Sequence, residues 1–353
     1  MRSSDHGLLA CPRCAGELHN LRCGSCGVEY RAPGGIPDLR VPSDARTEAV
    51  REFYARAPFP GYPPRDSLPA LHARAARSGF ARALDHAIPS DALVLEIGCG
   101  TGQLSLFLAS ADRRVVGADL ARPSLELARA AAARYGVRSV QFVETDLRAP
   151  GLRRAAFDVV LCSGVLHHTA DPRASFAAVA QLARPGGIVV IGLYNAYARV
   201  PLRLRRGLAR LTGFRWVPWD PVLRDRRAEP ARREAWLRDQ YHHVEEHRHT
   251  LGEVQRWFRE NGIEYLRAFP SALLADEKPD LFTQSPDDWA LEALIAQLAW
   301  MRTLGSEGGL FVAVGSRLAS CQPALTTARP GHPRCDHFSA GVLPKSSPTS
   351  NAM

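Results

Sequence analysis

The stretch Leu93-Val94-Leu95-Glu96-Ile97-Gly98-Cys99-Gly100-Thr101-Gly102 decides how the rest of this chain is read. Branched apolar residues over 93–97 predict a short buried strand that meets a carboxylate and runs into a glycine-rich turn. Apolar positions at Leu104, Phe107 and Leu108 predict a helix opening at Gln103. Glycine at 98, 100 and 102 frees the backbone and lets a ligand approach the main chain. A dinucleotide fingerprint needs its third glycine three residues beyond the second, where the pyrophosphate meets the helix. Gln103 stands there instead, so the spacing is wrong for NAD.

From Ala92 strand and helix patterns alternate, predicting a parallel sheet with helices on both faces. The expected strands are Leu93–Ile97, Arg114–Asp119, Val140–Glu144, Phe157–Cys162, Ile188–Leu193, Ile263–Phe269 and Leu310–Gly315. Expected helices span Ser124–Tyr135, Pro172–Ala183, Thr250–Asn261 and Pro286–Thr303. The acidic-x-Gly-x-Gly-x-Gly pattern over Glu96–Gly102 resembles motif I of the class I S-adenosylmethionine-dependent methyltransferases. Asp119, Asp146, His167-His168 and Arg184-Pro185-Gly186-Gly187 follow in that family's order. The resemblance implies a Rossmann-like, seven-stranded sheet over residues 91–318 with its last strand antiparallel. It places S-adenosylmethionine against Glu96, Gly98, Gly100, Gly102, Asp119, Leu120, Asp146, Leu147 and Ser163. Asp119 would take the ribose hydroxyls, and Asp146 the adenine amino group. His167 and His168 are the candidate catalytic residues, required as a base only if the acceptor loses a proton of high pKa. The other reading of this pair is packing at a strand end.

Cys11-Pro12-Arg13-Cys14 and Cys23-Gly24-Ser25-Cys26 form two Cys-x-x-Cys knuckles. Each can deliver two thiolates to one tetrahedral zinc, and an all-cysteine site is closed and therefore structural. Residues 1–42 resemble the Trm112 zinc-ribbon family, carried by Leu8–Leu18, Cys23–Tyr30 and Gly35-Ile36-Pro37-Asp38-Leu39. Free-standing members support methyltransferases, so the resemblance implies an accessory module open to a protein partner. Cys99, Cys162, Cys321 and Cys335 read as single thiols.

Residues 43–90 read as a helix over 43–57, with Ser43 as cap and Val50, Phe53 and Tyr54 on one face, followed by a proline-rich segment. That segment is either a linker or a lid carrying Phe59 or Tyr62. An insertion over about 195–249 holds twelve arginines between Arg199 and Arg238, with Trp216, Trp219 and Trp236 among them. It suits either RNA binding or a cap whose arginines are solvated around a tryptophan core, and the cap is favoured. His243, Glu246 and His247 are a weaker candidate metal set. Residues 319–353, rich in Ser, Thr, Pro, Gly and Ala, are expected to be a disordered tail.

The chain has 353 residues, 46% hydrophobic and 23% charged, with net charge +9. No run of 18 apolar residues occurs, so no membrane span is expected, and with no apolar leader a cytoplasmic location is. Basicity permits acidic partners, including nucleic acid, without selecting one. The resemblance implies methyl transfer, expected onto a small metabolite, with RNA or protein as alternative acceptors. The competing class is a catalytically silent cofactor-binding scaffold.

Overall fold

A computed structural model describes residues 5–42, 44–56, 58, 61–62, 66–213, 217, 220, 223–224, 230–241, 246–272, 280–285, 290–304 and 309–319. Ser43, Phe59, Trp216, Trp219, His243 and the segment 320–353 lie outside these, and so do the expectations resting on them. In chain order the elements are β1 (Leu18–His19), β2 (Arg22–Cys23), α1 (Ala45–Arg56), α2 (Leu68–Ala75), α3 (Gly79–Ala87), β3 (Leu93–Ile97), α4 (Gln103–Ala109), β4 (Arg114–Asp119), α5 (Arg122–Tyr135) and β5 (Val140–Glu144). They continue with β6 (Phe157–Ser163), α6 (Pro172–Ala180), β7 (Ala183–Tyr194), α7 (Val200–Leu211), α8 (Pro230–Tyr241), α9 (Leu251–Glu260), β8 (Ile263–Phe269), α10 (Ala290–Thr303) and β9 (Leu310–Arg317).

Seven strands form one sheet in the order β5-β4-β3-β6-β7-β9-β8. β3 through β7 pair in parallel, and β9 runs antiparallel between β7 and β8. Alternation within each strand divides the core. Leu95, Ile97, Val116, Val160 and Ile191 face α6 and α9, where Phe176, Val179, Val254 and Phe258 are buried. Val94, Val115, Val159 and Leu161 face the other layer, filled by Leu106, Leu108, Leu125 and Ala128 of α4 and α5 with Leu71 and Leu84 of α2 and α3. Both faces are thus covered, which is why the strands read as continuous apolar runs.

Local details depart from expectation for visible reasons. Asp44 caps α1, its Oδ1 accepting from the Thr47 N–H at 2.8 Å. β7 starts earlier than expected because Ala183 pairs with Phe157 and Ile188 with Val159, so Arg184-Pro185-Gly186-Gly187 bulges out of the strand rather than preceding it. Asp158 pins that bulge, accepting from Arg184 Nε at 2.5 Å and from the Leu93 N–H at 2.7 Å.

The cysteine-rich segment is built into the sheet edge. The Leu39 N–H donates to the Glu144 carbonyl at 2.8 Å and the Glu144 N–H to the Pro37 carbonyl at 2.9 Å, a short parallel bridge beside β5. The Ala10 N–H donates to the Gly151 carbonyl at 3.1 Å, and the Arg153 N–H to the Leu8 carbonyl at 2.9 Å. Leu9, Leu18, Leu21 and Leu39 are buried in the same cluster as Val143 and Leu152. Gly151 allows this approach, since a Cβ there would meet Leu39 at 2.5 Å. The Glu144 carboxylate is buried and ion-paired with Arg40 from the segment and with Arg122 of α5. The described residues up to Ala319 form one compact unit.

Candidate functional site

A cavity of about 470 Å³ lies at the carboxyl ends of the parallel strands. Strand order reverses there between β3 and β6, the topological switch point at which open α/β sheets bind ligands. Its wall contains Glu96–Gly100 at the end of β3, Asp119–Ala121 at the end of β4, Thr145–Arg148 after β5, Ser163–Val165 at the end of β6 and Tyr194 at the end of β7.

Gly98 and Gly100 adopt φ of 77° and 54°, leaving bare main chain on the wall. Gly98 has a second duty, because a Cβ there would lie 2.1 Å from Val165. Gly98→Ala is therefore expected to cost about 1–3 kcal/mol, read by urea unfolding, through forced backbone strain and displacement of the loop after β6. Gly102, at φ 74°, lies behind the wall. A Cβ there would meet Ala128 at 2.8 Å and Phe142 at 3.0 Å, so this glycine serves the seating of α4 on its neighbours.

Asp119 closes the turn from the next strand. Its Oδ2 accepts from the Gly100 N–H and its Oδ1 from the Ala121 N–H, each at 2.8 Å. A carboxylate has about four acceptor sites, so acceptor capacity remains for a ligand hydroxyl. Burial raises the Asp119 carboxyl above its ordinary value despite these donors. Asp146 is nearly enclosed and accepts from Arg148 Nη2 at 2.7 Å and from the Arg148 N–H at 2.9 Å. Leu120, Leu147 and Ser163 also line the cavity.

Glu96 turns toward α4, where its carboxylate accepts from the Ser105 hydroxyl. Burial pushes this carboxyl up to about 7, with Ser105 opposing and the Asp119 charge adding to the rise. A raised carboxyl stabilises the fold fully below its unfolded value, near 4.5, and that contribution disappears as pH rises through about 7. In urea unfolding of the ligand-free protein, the advantage of wild type over Glu96→Gln is expected to fall by about 2 kcal/mol between pH 5 and 8. A constant difference would remove the assignment. The full linkage value is larger, but one side of the carboxylate faces the cavity.

The two histidines separate. His168 lines the cavity, whereas His167 is buried beneath it, its ring stacked on Tyr194 at 3.8 Å. Tyr54 of α1 approaches His168 edge-on at 6.4 Å between centroids, and Thr47, Val50 and Arg51 bring the same helix onto the wall. Tyr62 does not line the cavity. Its hydroxyl donates to the Thr101 carbonyl at 2.6 Å and so ties the proline-rich segment to the glycine turn.

The insertion closes the far side through Trp236 and Gln240 of α8. It leaves and rejoins the sheet at one point, with the Ala196 N–H donating to the His249 carbonyl at 3.0 Å and the His249 N–H to the Tyr194 carbonyl at 2.9 Å. Its arginines are not uniformly solvated. Arg199 is fully buried, its guanidinium 3.6 Å from the Tyr194 ring centroid and paired with Glu246 at 2.6 Å. Arg206 shares that carboxylate at 2.6 Å. Burial alone would raise the Glu246 carboxyl, but the Arg199 and Arg206 guanidiniums hold it below its ordinary range. Glu246 is thereby committed to arginine rather than to a metal. Gln240 Nε2 donates to the Tyr194 hydroxyl at 3.0 Å, so this network sets the ring facing the cavity. Tyr194, Arg199 and the wall residues of α1 had no local sequence signal as site residues, because their partners are remote in the chain.

Among the described residues one group has metal-ligand character: Cys11, Cys14, Cys23 and Cys26, whose sulfurs lie within 4.8 Å of one another. Cys11–Cys26 and Cys14–Cys23 separations are 3.6 and 3.4 Å, too long for disulfides. They fit a thiolate tetrahedron around zinc, whose sulfur–sulfur edges are about 3.8 Å. The Tyr30 hydroxyl supports Cys11 at 3.0 Å, and the Cys26 N–H points to Cys23 Sγ at 3.5 Å. This arrangement resembles a zinc ribbon.

Residues 95–191 match the family described as a methyltransferase domain. The chain is 28% identical to an uncharacterized protein of Synechococcus sp. over 255 residues, covering 63% of this chain and 60% of that protein. It is 41% identical to the ubiquinone biosynthesis O-methyltransferase of Bordetella bronchiseptica over 106 residues, covering 29% of this chain and 42% of that one. It thus spans less than two thirds of the length of these curated relatives. Among solved structures, the complex between the Haloferax volcanii Trm112 methyltransferase activator and the putative methyltransferase aligns with TM-score 0.45 and 16% identity, over 79% of this chain and 100% of that chain.

Proposed function

We propose that this chain, which carries a methyltransferase domain over residues 95–191, transfers a methyl group from S-adenosylmethionine to a small-molecule acceptor. The observation carrying this reading is the cavity at the switch point, where Asp119 stands beside the bare main chain of Gly98 and Gly100. These groups fit the cofactor. Asp119 would hold the ribose hydroxyls, Leu120 and Leu147 would flank the adenine, and Gly98 and Gly100 would admit the methionine part. When bound, S-adenosylmethionine supplies an electrophilic methyl group on a sulfonium.

The chain's own residues would align the acceptor and exclude water. Tyr54, Tyr194, Trp236 and Gln240 enclose the acceptor side, and an enclosed wall of this kind suits a small molecule. His168 is the residue placed to accept a proton from an acceptor hydroxyl. His167 positions Tyr194 by stacking and is removed from the cavity. Zinc on the four cysteines would be structural, with all four positions filled by protein.

The test is incubation of the purified protein with methyl-labelled S-adenosylmethionine and a cell extract, followed by fractionation. Label in small molecules is the expected result. Protease-resistant label in RNA, or label in protein, would replace the acceptor class. Tight cofactor binding with no label in any fraction would turn the reading toward a scaffold.

A further inference from the structure

The helix α7 shows an apolar side to solvent. Leu204, Leu208 and Leu211 are 66%, 42% and 83% exposed. At about 100° per residue they fall within about 60° of one another around the helix axis. Leu202 and Ala209, on the opposite side, are the buried residues of this helix. A helix covering a core ordinarily turns charge outward, so this outer stripe does not serve the fold of the domain.

Arginines border the stripe. Arg203 and Arg210 flank it on one side and both are exposed, while Arg205 lies on the other and reaches Asp220 at 3.8 Å. No carboxylate occurs in Val200–Leu211. The helix has only 12 residues, and no described helix is long and apolar enough to cross a membrane. It is, however, the right pattern for lying in a bilayer surface, with leucines in the acyl boundary and arginines at lipid phosphates.

Its place in the fold agrees. β7 ends at Tyr194 on the cavity wall, six residues before α7 begins. β9 begins at Leu310, also on that wall, and is the next element after α10. Asn195 Nδ2 donates to Gln297 Oε1 at 3.0 Å, joining the root of the insertion to α10. The helix α10 in turn exposes Leu291, Leu294, Ile295 and Leu298. Both outward apolar helices therefore attach at the end of the sheet that holds the cavity.

We propose that α7 docks this protein peripherally on an anionic membrane surface. Charge selects this occupant. A second copy would bring the arginines of α7 against the same arginines, with no acid in the helix to receive them. RNA would meet the arginines but would leave the central leucines unused, and α7 carries no aromatic residue on which a base could stack. The proposal is independent of methyl transfer, because docking is read without turnover.

The experiment is flotation of the full-length protein with phosphatidylcholine vesicles, with and without phosphatidylglycerol. The expected result is at least about tenfold more protein on anionic than on neutral vesicles, declining with added salt. Leu204→Ser/Leu208→Ser/Leu211→Ser should abolish flotation, and Arg203→Gln/Arg210→Gln should remove the preference for phosphatidylglycerol. Both variants should keep the wild-type melting temperature and S-adenosylmethionine affinity, since these side chains are exposed and lie off the cavity. Absence of flotation, or equal flotation of the leucine variant, would overturn the proposal. So would a lipid-free dimer that the leucine variant dissolves, or loss of flotation to competing RNA that binds the leucine variant equally well.

Discussion

Asp119→Ala is expected to weaken S-adenosylmethionine binding about a hundredfold, near 2.7 kcal/mol, as for loss of charge-assisted hydrogen bonds to a bound ligand. Two losses combine. The acceptor capacity left for a ligand hydroxyl disappears, and the Gly100 and Ala121 N–H groups lose the carboxylate that fixes the turn. Isothermal titration with S-adenosylmethionine and with S-adenosylhomocysteine reads the change directly. Heat stability gives a second reading. Ligand at a hundred times the wild-type Kd stabilises the native protein by about 2.7 kcal/mol, and a hundredfold weaker variant by only about 0.4 kcal/mol at that concentration. Asp119→Asn keeps one acceptor and should fall between them. Unchanged affinity in the alanine variant would remove Asp119 from the cofactor site and with it the main support for this cofactor.

Removing a zinc held by the four cysteines, as proposed above, is expected to have the larger effect on stability. Structural zinc in small cysteine sites contributes about 10–16 kcal/mol of apparent binding energy, which becomes folding energy when the site forms only in the folded state. The ribbon's leucines share a core with Val143 and Leu152, and its main chain pairs with β5. Its collapse would uncover a sheet edge and buried Glu144. We expect a strong chelator, or Cys23→Ser, to lower the melting temperature by at least about 10 °C, in a single transition. Elemental analysis should find one zinc per chain before chelation. A shift of under about 2 °C, or a separate early transition confined to the ribbon, would show that the ribbon is not part of the cooperative unit.

Local readings succeeded where one short stretch contained all the information. The bounds of β3, β4, β5 and β8 agree with expectation because apolar runs there meet Gly, Asp or Glu at their ends. The four-cysteine cluster was legible for the same reason, since two knuckles bring their own geometry. Reading failed where the deciding partner was remote. Arginine in an arginine-rich stretch looks solvated, yet Arg199 is buried because Glu246 arrives 47 positions later and Tyr194 presents its ring. Paired histidines look equivalent in sequence, and the short helical turn over Leu166–His168 sends one to the cavity and one beneath it.

By itself the sequence determined the alternation of elements, the glycine turn, the carboxylate at the end of β4 and the four-cysteine set. Each depends on periodicity or spacing over fewer than about twenty residues, where backbone preference dominates. Only the tertiary structure decided that Gly102 packs rather than lines, that α1 and α8 close the cavity, and that the ribbon extends the sheet at β5. It also decided that α7 turns leucine outward. Those outcomes depend on which surfaces meet after the chain has closed long loops, and no local pattern encodes the partner across such a distance.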